Sequence, residues 1–339
     1  MNLRTNTLDI AEPVFADDHA ERFWRDGFAG PFPLDIDPRR VRDLAERMAD
    51  IADGRRHSPV YGRHSHRDWH LVDTELEALL TQEAIVEKVI PILGKDLLMW
   101  RSKIFHKAPG ASAIGWHQEW GLFDGEEIGN SVPALRPAAP EEGIWDLTVW
   151  IALDDVTDEN GPLQFAPGSQ NTRVPWKKVP MTDSAFYDEP FHGLAKEEIV
   201  RRTEASELLL DIETTGWLDG VDVAGISRER LVDHLEGRFR GLQAKYTDFR
   251  PASVSTATMP AGHFVIFSER TMHGSPANLS DRRRTAVNCR ITKSDTLVYP
   301  GRLTGEYVDG SNLDVRGHES ILVSGSPLES RNVWRLPAA

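Results

Sequence analysis

The sequence predicts an α+β protein whose sheet part is a β-sandwich or jelly roll. Two observations support this fold class. In the N-terminal part, apolar residues recur at helical spacing, whereas from about Leu97 they fall in short β-rich runs separated by Pro, Gly, Asn and Asp. Helices that come first, followed by many short strands without a repeat, are the order expected of an α+β chain.

Helical segments are predicted within residues 17–53 and near residues 74–93. In the first, Asp37-Pro38 opens a helix, Gly54 ends it, and the apolar residues between them form one face. In the second, the leucines, valines and isoleucines form a similar face. The β-rich runs that follow read MWRSKIFHKAPG, DLTVWIALDD, GPLQFAPGS, ASVSTATMPAGHFVIF and RTAVNCRITKSD.

A long charged insertion between about Gln170 and Pro251 interrupts the β-rich part and includes a predicted helix, SRERLVDHLEGRFRGLQAKY. The chain has no internal repeat and no low-complexity linker, so we predict a single domain over residues 1–339. Its parts are a mainly helical N-terminal part (1–95), a jelly-roll core (96–170 and 251–297), an insertion that serves either as a lid or as surface packing (171–250) and a C-terminal extension (298–339).

Composition excludes several classes of function. The net charge of −14 and the lack of a long basic block argue against a nucleic-acid partner and against an anionic membrane surface. Cys289 is the only cysteine, so intrachain disulfides and thiolate metal clusters are excluded. The N-terminus lacks the pattern of a signal peptide, and no uncharged apolar run approaches ~18 residues. We therefore expect a cytoplasmic protein.

His117 and Glu119 lie two positions apart in the apolar stretch IGWHQEWGLF. On a β-strand such residues point to the same face, so an imidazole and a carboxylate would lie side by side. A metal site needs a further ligand, and His273, six residues after the apolar strand Phe264 to Phe267, is a candidate. Two histidines and one carboxylate form the ligand set of non-haem Fe(II) oxygenases. Taken alone, the His-x-Glu pair also fits a solvent-edge pair or a core histidine.

Several motifs occur in an order that resembles the phytanoyl-CoA dioxygenase family of Fe(II)- and 2-oxoglutarate-dependent oxygenases. They are FWRDGF, WHQE, VWIALDDVTDENGPLQFAPGS, PAGHFVIF and HGSPANLSDRRRTAV, and together they span about residues 20–290. The resemblance implies a double-stranded β-helix, a cupin-like jelly roll, with flanking N-terminal helices. It also implies Fe(II) as the metal, with 2-oxoglutarate and dioxygen as co-substrates.

In the metal site that the resemblance implies, His117, Glu119 and His273 are the iron ligands. The family usually has Asp in the middle position, so Glu119 is a departure, longer by one carbon–carbon bond or roughly 1.5 Å. In the related halogenases a small residue stands there, and chloride occupies the vacated coordination site. Glu119 therefore favours oxygen insertion over halogenation, unless its carboxylate turns away from the metal.

The resemblance also implies a 2-oxoglutarate site. Arg284 stands where the family has the arginine that pairs with the distal carboxylate, an interaction that suits a guanidinium fork. Arg282 and Arg290 share its strand face, and Arg290 is the alternative choice. Ser275 and Trp150 fall where family members contact 2-oxoglutarate through a hydroxyl and an indole. Ser275 could instead cap its turn, and Trp150 could be an ordinary core residue.

A second group of histidines lies in the segment HSPVYGRHSHRDWH. The flanking Gly62, Arg63 and Arg67 favour an exposed loop and a surface cluster over a metal site. The histidines concerned are His57, His64, His66 and His70.

Together these features predict an iron- and 2-oxoglutarate-dependent dioxygenase that hydroxylates an unactivated C–H bond of a small molecule, in specialised or amino-acid-derived metabolism. Halogenation, desaturation or ring formation at the same iron site is the first alternative. A non-catalytic jelly-roll binding protein is the second alternative, and the metal-ligand pattern with Arg284 argues against it. The sequence carries no readable signal for substrate identity or oligomeric state.

Overall fold

The computed structural model describes residues 18–125, 132–140, 143–184, 187–309 and 313–338. Residues 1–17, which include most of the N-terminal stretch that lacks a signal-peptide pattern, lie outside the described residues. Within the described ranges the α-helices are α1 (Asp18–Asp26), α2 (Pro38–Asp53), α3 (Thr74–Leu80), α4 (Glu83–Leu93), α5 (Lys196–Glu204) and α6 (Arg228–Gly241). In this part of the chain, no helix is long and apolar enough to cross a bilayer, and the cytoplasmic location stays a prediction.

The β-strands are short, and most of them follow the N-terminal helices. They are β1 (Phe28–Pro33), β2 (Leu97–Lys107), β3 (Ile114–His117), β4 (Leu135–Arg136), β5 (Asp146–Ala152), β6 (Leu163–Phe165), β7 (Lys177–Pro180), β8 (Gln243–Tyr246), β9 (Ser255–Ala257), β10 (His263–Ser268), β11 (His273–Ser275), β12 (Arg284–Lys293), β13 (Leu297–Val298), β14 (Ser320–Ser324) and β15 (Trp334–Arg335).

Two sheets form the core of the fold. The larger has the strand order β1-β10-β5-β12-β2-β14-β15, and the smaller has the order β3-β11-β6-β9. Side chains of both sheets pack in one cluster, in which Trp150 and Phe267 of the larger sheet meet Phe165 of the smaller. The opposite face of the larger sheet packs against α1 to α4. The arrangement is a helix layer on a β-sandwich.

Strand β5 shows how the sequence produces these two faces. Leu147, Val149 and Ile151 belong to the cluster that contains the helices, whereas Trp150 and Ala152 belong to the cluster between the sheets. Successive side chains of a strand point to opposite faces, so a strand covered on both sides is mostly apolar. All residues of β5 are buried accordingly.

The N-terminal helices follow the predicted signals, with one difference. Asp37 caps α2, because its carboxylate accepts a hydrogen bond of 2.8 Å from the backbone N–H of Arg39, and a proline opens the first turn. The helix predicted near residues 74–93 is instead two helices, α3 and α4. The break lies at Thr81, which ends α3, and at Gln82, whose ψ of 142° is extended.

The charged insertion contains α5, α6 and a two-stranded antiparallel sheet of β7 and β8. Apolar side chains of both helices, among them Ile199, Leu231 and Phe239, pack in a cluster separate from that between the sheets. The insertion contacts the N-terminal part through an ion pair of 2.8 Å between Asp211 and Arg67. The division of the chain into core, insertion and extension stays a prediction.

Candidate active site

His117 and His273 lie opposite each other on neighbouring strands of the smaller sheet. They form an antiparallel pair between β3 and β11, and the centroids of their rings are 4.2 Å apart. The Nδ1 atom of His117 is 2.8 Å from the carbonyl oxygen of Gly115, and that of His273 is 2.9 Å from the carbonyl oxygen of Thr271. A proton on each Nδ1 satisfies these bonds and leaves the lone pair on Nε2, the tautomer that suits a metal-binding histidine.

Glu119 follows the end of β3, which stops at His117. Its carboxylate forms an ion pair with Arg290 of β12, and Arg290 in turn lies 3.4 Å from Asp146. Burial alone would raise the pKa of Glu119, but the positive charge of Arg290 and the proximity of both histidines lower the pKa to about 2. The carboxylate is therefore charged at neutral pH and is directed to Arg290.

The structure thus brings the two histidines together but leaves the carboxylate on an arginine. In the described part of the chain, no three His, Cys, Asp or Glu side chains are arranged so that they could hold a metal ion together. Completion of a site with two histidines and one carboxylate requires the Glu119 side chain to turn from Arg290 toward the histidines. The ligand role of all three residues stays a prediction.

A cavity of about 320 Å³ opens between the two sheets beside the histidines. All six site residues predicted from the sequence line it: His117, Glu119, Trp150, His273, Ser275 and Arg284. Three apolar residues, Phe123, Leu163 and Phe267, form part of its wall. Such a cavity is near the lower end of the sizes found for small-molecule sites, roughly 300–1,000 Å³.

Arg284 begins β12 and is 2% exposed. Its Nη2 atom is 3.4 Å from the hydroxyl oxygen of Ser275, and its Cζ is 5.3 Å from the centroid of the Trp150 ring. Its Nε has no hydrogen-bond partner among the residues that the structure describes. Burial lowers the pKa of Arg284 to about 10, and the charge of Asp154 only partly opposes this. A buried cation without a paired anion is costly, so this position fits the carboxylate of 2-oxoglutarate.

Ser275 and Trp150 flank this arginine. The hydroxyl of Ser275 donates a hydrogen bond of 2.8 Å to the carbonyl oxygen of Gly161, which is 114 residues away in the chain. The hydroxyl therefore bonds to a distant segment and not to its own turn. Trp150 is fully buried, and its indole Nε1 has no hydrogen-bond partner within the described part of the chain. Trp150 is thus both a core residue and a wall of the cavity.

Comparison with known proteins bears on the class of this site. The family model described as phytanoyl-CoA dioxygenase (PhyH) matches residues 23–286. The chain belongs to the phytanoyl-CoA dioxygenase family. The family predicted from the motifs is therefore confirmed, and with it the enzyme class, an iron- and 2-oxoglutarate-dependent dioxygenase.

Two curated relatives show the range of this family. A probable alpha-ketoglutarate-dependent hypophosphite dioxygenase of Stutzerimonas stutzeri is 23% identical over 74% of this chain and 64% of its own length. An L-proline trans-4-hydroxylase of Streptomyces griseoviridis is 26% identical over 83% of this chain and 87% of its own length. The chain thus spans less than two thirds of the first relative and most of the second.

Solved structures bear on the fold. The non-heme monooxygenase ThoJ in its apo form matches with a TM-score of 0.59 and 16% identity, over 94% of this chain and 88% of its own. CytC3 with Fe(II) and alpha-ketoglutarate matches with a TM-score of 0.55 and 20% identity, over 95% of this chain and 93% of its own. At such identities the likeness shows the fold alone, and the predicted α+β class with a jelly-roll core is confirmed.

The other arginines near β12 have different surroundings in the dioxygenase. Arg282 is exposed to solvent, and Arg283 forms ion pairs with Glu46 and with Asp154. Arg290, the alternative choice for 2-oxoglutarate, is paired with Glu119. Among these four arginines, Arg284 is the one whose charge faces the cavity without a carboxylate.

The predicted surface cluster of histidines is wrong for two of its members. His64 and His70 are buried, His66 is partly buried, and His57 is exposed. The loop is covered because the insertion packs on it: the backbone N–H of Asp211 donates a hydrogen bond of 3.3 Å to the carbonyl oxygen of His64. The Gly and Arg residues around the cluster correctly indicated a loop. They could not indicate that the loop is covered, because the covering residue Asp211 is far away in the sequence.

Two histidines with strongly lowered pKa values, His66 of this loop and His318 near the C-terminus, predict how the stability of the dioxygenase depends on pH. Burial, and then the charge of His64, lowers the pKa of His66 from 6.5 to about 3, and burial lowers the pKa of His318 to about 3. Between pH 7 and pH 5 the unfolded chain therefore binds more protons than the folded chain, and stability falls as the pH falls. From pH 7 to pH 5 we expect the free energy of unfolding to fall by an amount on the order of 1 to 2 kcal/mol for each such histidine. Urea unfolding at the two pH values measures this change.

The variant His66→Gln should flatten this pH dependence, because one titrating group is removed. His192→Gln, at an exposed position, is the matched control. It should leave the change of unfolding free energy with pH as in the native protein. Equal slopes for the two variants would contradict the assignment of the pH dependence to buried histidines.

Proposed function

We propose that the dioxygenase holds iron with His117, His273 and Glu119, binds 2-oxoglutarate through Arg284, and hydroxylates a C–H bond of a small molecule. The observation that carries this proposal is the position of Arg284. A buried guanidinium with no carboxylate partner in the described ranges of the chain lines the same cavity as two adjacent imidazoles. The two imidazoles would hold the iron ion, and Arg284 would pair with a carboxylate of 2-oxoglutarate.

The backbone and side chains around the cavity prepare this chemistry in three ways. The backbone carbonyls of Gly115 and Thr271 accept hydrogen bonds from the Nδ1 atoms of the histidines and so present each Nε2 to the cavity. Arg284 fixes one end of 2-oxoglutarate through a charge that is kept at working pH. Apolar side chains such as Phe267 exclude water. Bound iron, with 2-oxoglutarate and dioxygen, supplies the oxidant that removes hydrogen from the substrate.

Glu119 decides between two outcomes of this chemistry. If its carboxylate turns from Arg290 to the metal, the ligand set is that of a hydroxylase. The ion pair with Arg290 favours a second candidate, halogenation, because a carboxylate held on the arginine leaves room for a halide beside the two histidines. Analysis of the product in the presence of chloride separates the two, since hydroxylation adds oxygen and halogenation adds chlorine.

Support for a small substrate comes from the cavity and from the relatives. The cavity of about 320 Å³ has to accommodate both 2-oxoglutarate and the substrate. The L-proline trans-4-hydroxylase and the ectoine dioxygenases among the relatives are named for small amino-acid-derived molecules. We further infer that residues 171–250 act as a lid, a proposal supported by Lys245 of β8, which lines the cavity.

The proposal is tested by succinate formation. The protein is loaded anaerobically with Fe(II) and 2-oxoglutarate, and air-saturated buffer is added with the proteinogenic L-amino acids and ectoine as candidate substrates. We expect succinate in amounts that match a product heavier by one oxygen atom. Absence of both 2-oxoglutarate binding and succinate formation would contradict the proposed function.

A further inference from the structure

Lys103 is a cation on the cavity wall that the proposed chemistry does not use. We propose that Lys103 binds a carboxylate group of the primary substrate, so that the substrate is a small carboxylic acid of amino-acid size. This inference rests on the proposed function, because it takes the cavity to be the site where the substrate lies.

The charges around the cavity single out this lysine. Arg67 pairs with Asp211, Arg101 with Asp309, and Arg290 with Glu119. These three lining arginines are thus already neutralised by carboxylates of the chain. Arg284 and Lys103 line the cavity without an ion pair among the described residues. Lys245, which also lines the cavity, lies with its Nζ 4.7 Å from the centroid of the Trp176 ring. Among the described residues, Arg284 and Lys103 are therefore the two cationic positions left for ligands, and 2-oxoglutarate accounts for one of them.

The strand register directs Lys103 into the cavity. Lys103 lies on β2 opposite Asn288 of β12, and the alternate residues Arg101 and Phe105 line the same cavity. The Nζ atom is 5.3 Å from the centroid of the Phe105 ring, and within the described residues it has no hydrogen-bond or ion-pair partner. The side-chain oxygen of Asn288 is also buried, and the described residues offer it no hydrogen-bond partner. Two neighbouring polar groups thus face the cavity without a protein partner.

Electrostatics favour an anion at this position. Burial, and then the charge of Arg67, lowers the pKa of Lys103 to about 8. The charged ammonium form is therefore destabilised when no anion is bound beside it. A carboxylate placed against the ammonium would offset the cost of burying it and would form a charge-assisted hydrogen bond. The lysine is still protonated at neutral pH and is therefore able to bind the anion.

The two carboxylates of 2-oxoglutarate are already accounted for in the proposed site. One pairs with Arg284, and the other belongs with the 2-oxo group at the metal. Lys103 therefore remains for a third carboxylate, which has to come from the substrate. A single ammonium beside a neutral amide suits a singly charged group such as a carboxylate.

The test compares carboxylic acids with their carboxamides. The protein is loaded with Mn(II), which replaces iron without turnover, and with 2-oxoglutarate, and the proteinogenic L-amino acids are titrated calorimetrically beside their carboxamides. In the native protein we expect at least one acid to bind about tenfold or more tightly than its amide. Lys103→Met should remove this preference, and Lys103→Arg should retain part of it. Lys95→Met, at an exposed position outside the cavity lining, is the matched control.

Each other outcome overturns the inference. If no acid of the panel binds, the substrate is not a small amino-acid-like carboxylate. If Lys103→Met keeps the preference for the acid, or instead weakens 2-oxoglutarate binding, the lysine does not bind the substrate's carboxylate. A lower melting temperature of Lys103→Met with an unchanged preference assigns the lysine a structural role. Failure of the proposed function is distinguishable, because the native protein would then bind no 2-oxoglutarate at all.

Discussion

Replacing His273 with alanine is expected to reduce substrate-dependent succinate formation to the background of the assay. Loss of a residue that only hydrogen-bonds to a metal ligand costs about 10- to 100-fold in metal affinity or activity. Loss of a ligand itself should therefore cost more than about 100-fold. His273 lies opposite His117 on the neighbouring strand, so its removal leaves a single imidazole at this point of the cavity. Iron binding, measured by equilibrium dialysis of the anaerobic protein, should fall with activity.

The matched control for this variant is His192→Ala. His192 is exposed, and it lies in the insertion outside the cavity lining. The control should retain native turnover and native iron binding. Native turnover in His273→Ala, with a folded protein shown by circular dichroism, would exclude His273 from the metal site and with it the proposed ligand set.

Replacing Arg284 with methionine is expected to raise the KM for 2-oxoglutarate by about 100-fold or more. A bidentate guanidinium–carboxylate pair contains two charge-assisted hydrogen bonds, each contributing ~1.5 to 3 kcal/mol, and 1.4 kcal/mol corresponds to about tenfold in affinity. Methionine fills a similar volume but offers neither hydrogen bonds nor charge. The KM and the dissociation constant of 2-oxoglutarate are both measured, the latter by calorimetry in the absence of dioxygen.

Arg282→Met is the matched control, two positions earlier in the chain and exposed to solvent. It should leave the affinity for 2-oxoglutarate unchanged. In the absence of ligands, Arg284→Met should also unfold at a temperature at least as high as the native protein, since it removes a buried cation without a paired anion. An unchanged KM in Arg284→Met would show that another group binds the distal carboxylate.

The fold class and the pairing of His117 with Glu119 were predicted from local periodicity, whereas Arg284, Ser275 and Trp150 were predicted from the resemblance to the family. Alternation along β12 placed Arg284 and Arg290 on one face, and both line the cavity. His273, the candidate ligand that follows β10, also lines the cavity. Alternation also predicted that Glu119 would share the face of His117, but β3 ends at His117 and the pattern no longer applies beyond it.

The partner of Glu119 could not be predicted, because Arg290 lies 171 residues away and the pairing depends on the packing of two different sheets. The same reason applies to the buried histidines of the N-terminal loop, which are covered by residues of the insertion such as Asp211. Lys103 was not predicted as a site residue either. Whether it has an ion-pair partner depends on where the neighbouring carboxylates lie in the folded chain. Its signal in the sequence was present, however, because Lys103 alternates with Arg101 and Phe105 along a single strand.

The most direct test of the proposed site is an anaerobic crystal structure of the dioxygenase with Fe(II) and 2-oxoglutarate. We predict iron bound by Nε2 of His117, Nε2 of His273 and the carboxylate of Glu119, with the distal carboxylate of 2-oxoglutarate on Arg284. Iron elsewhere in the protein, or 2-oxoglutarate that does not contact Arg284, would contradict the proposed site. Iron on the two histidines with Glu119 still paired to Arg290 would contradict the three-ligand set and would favour halogenation.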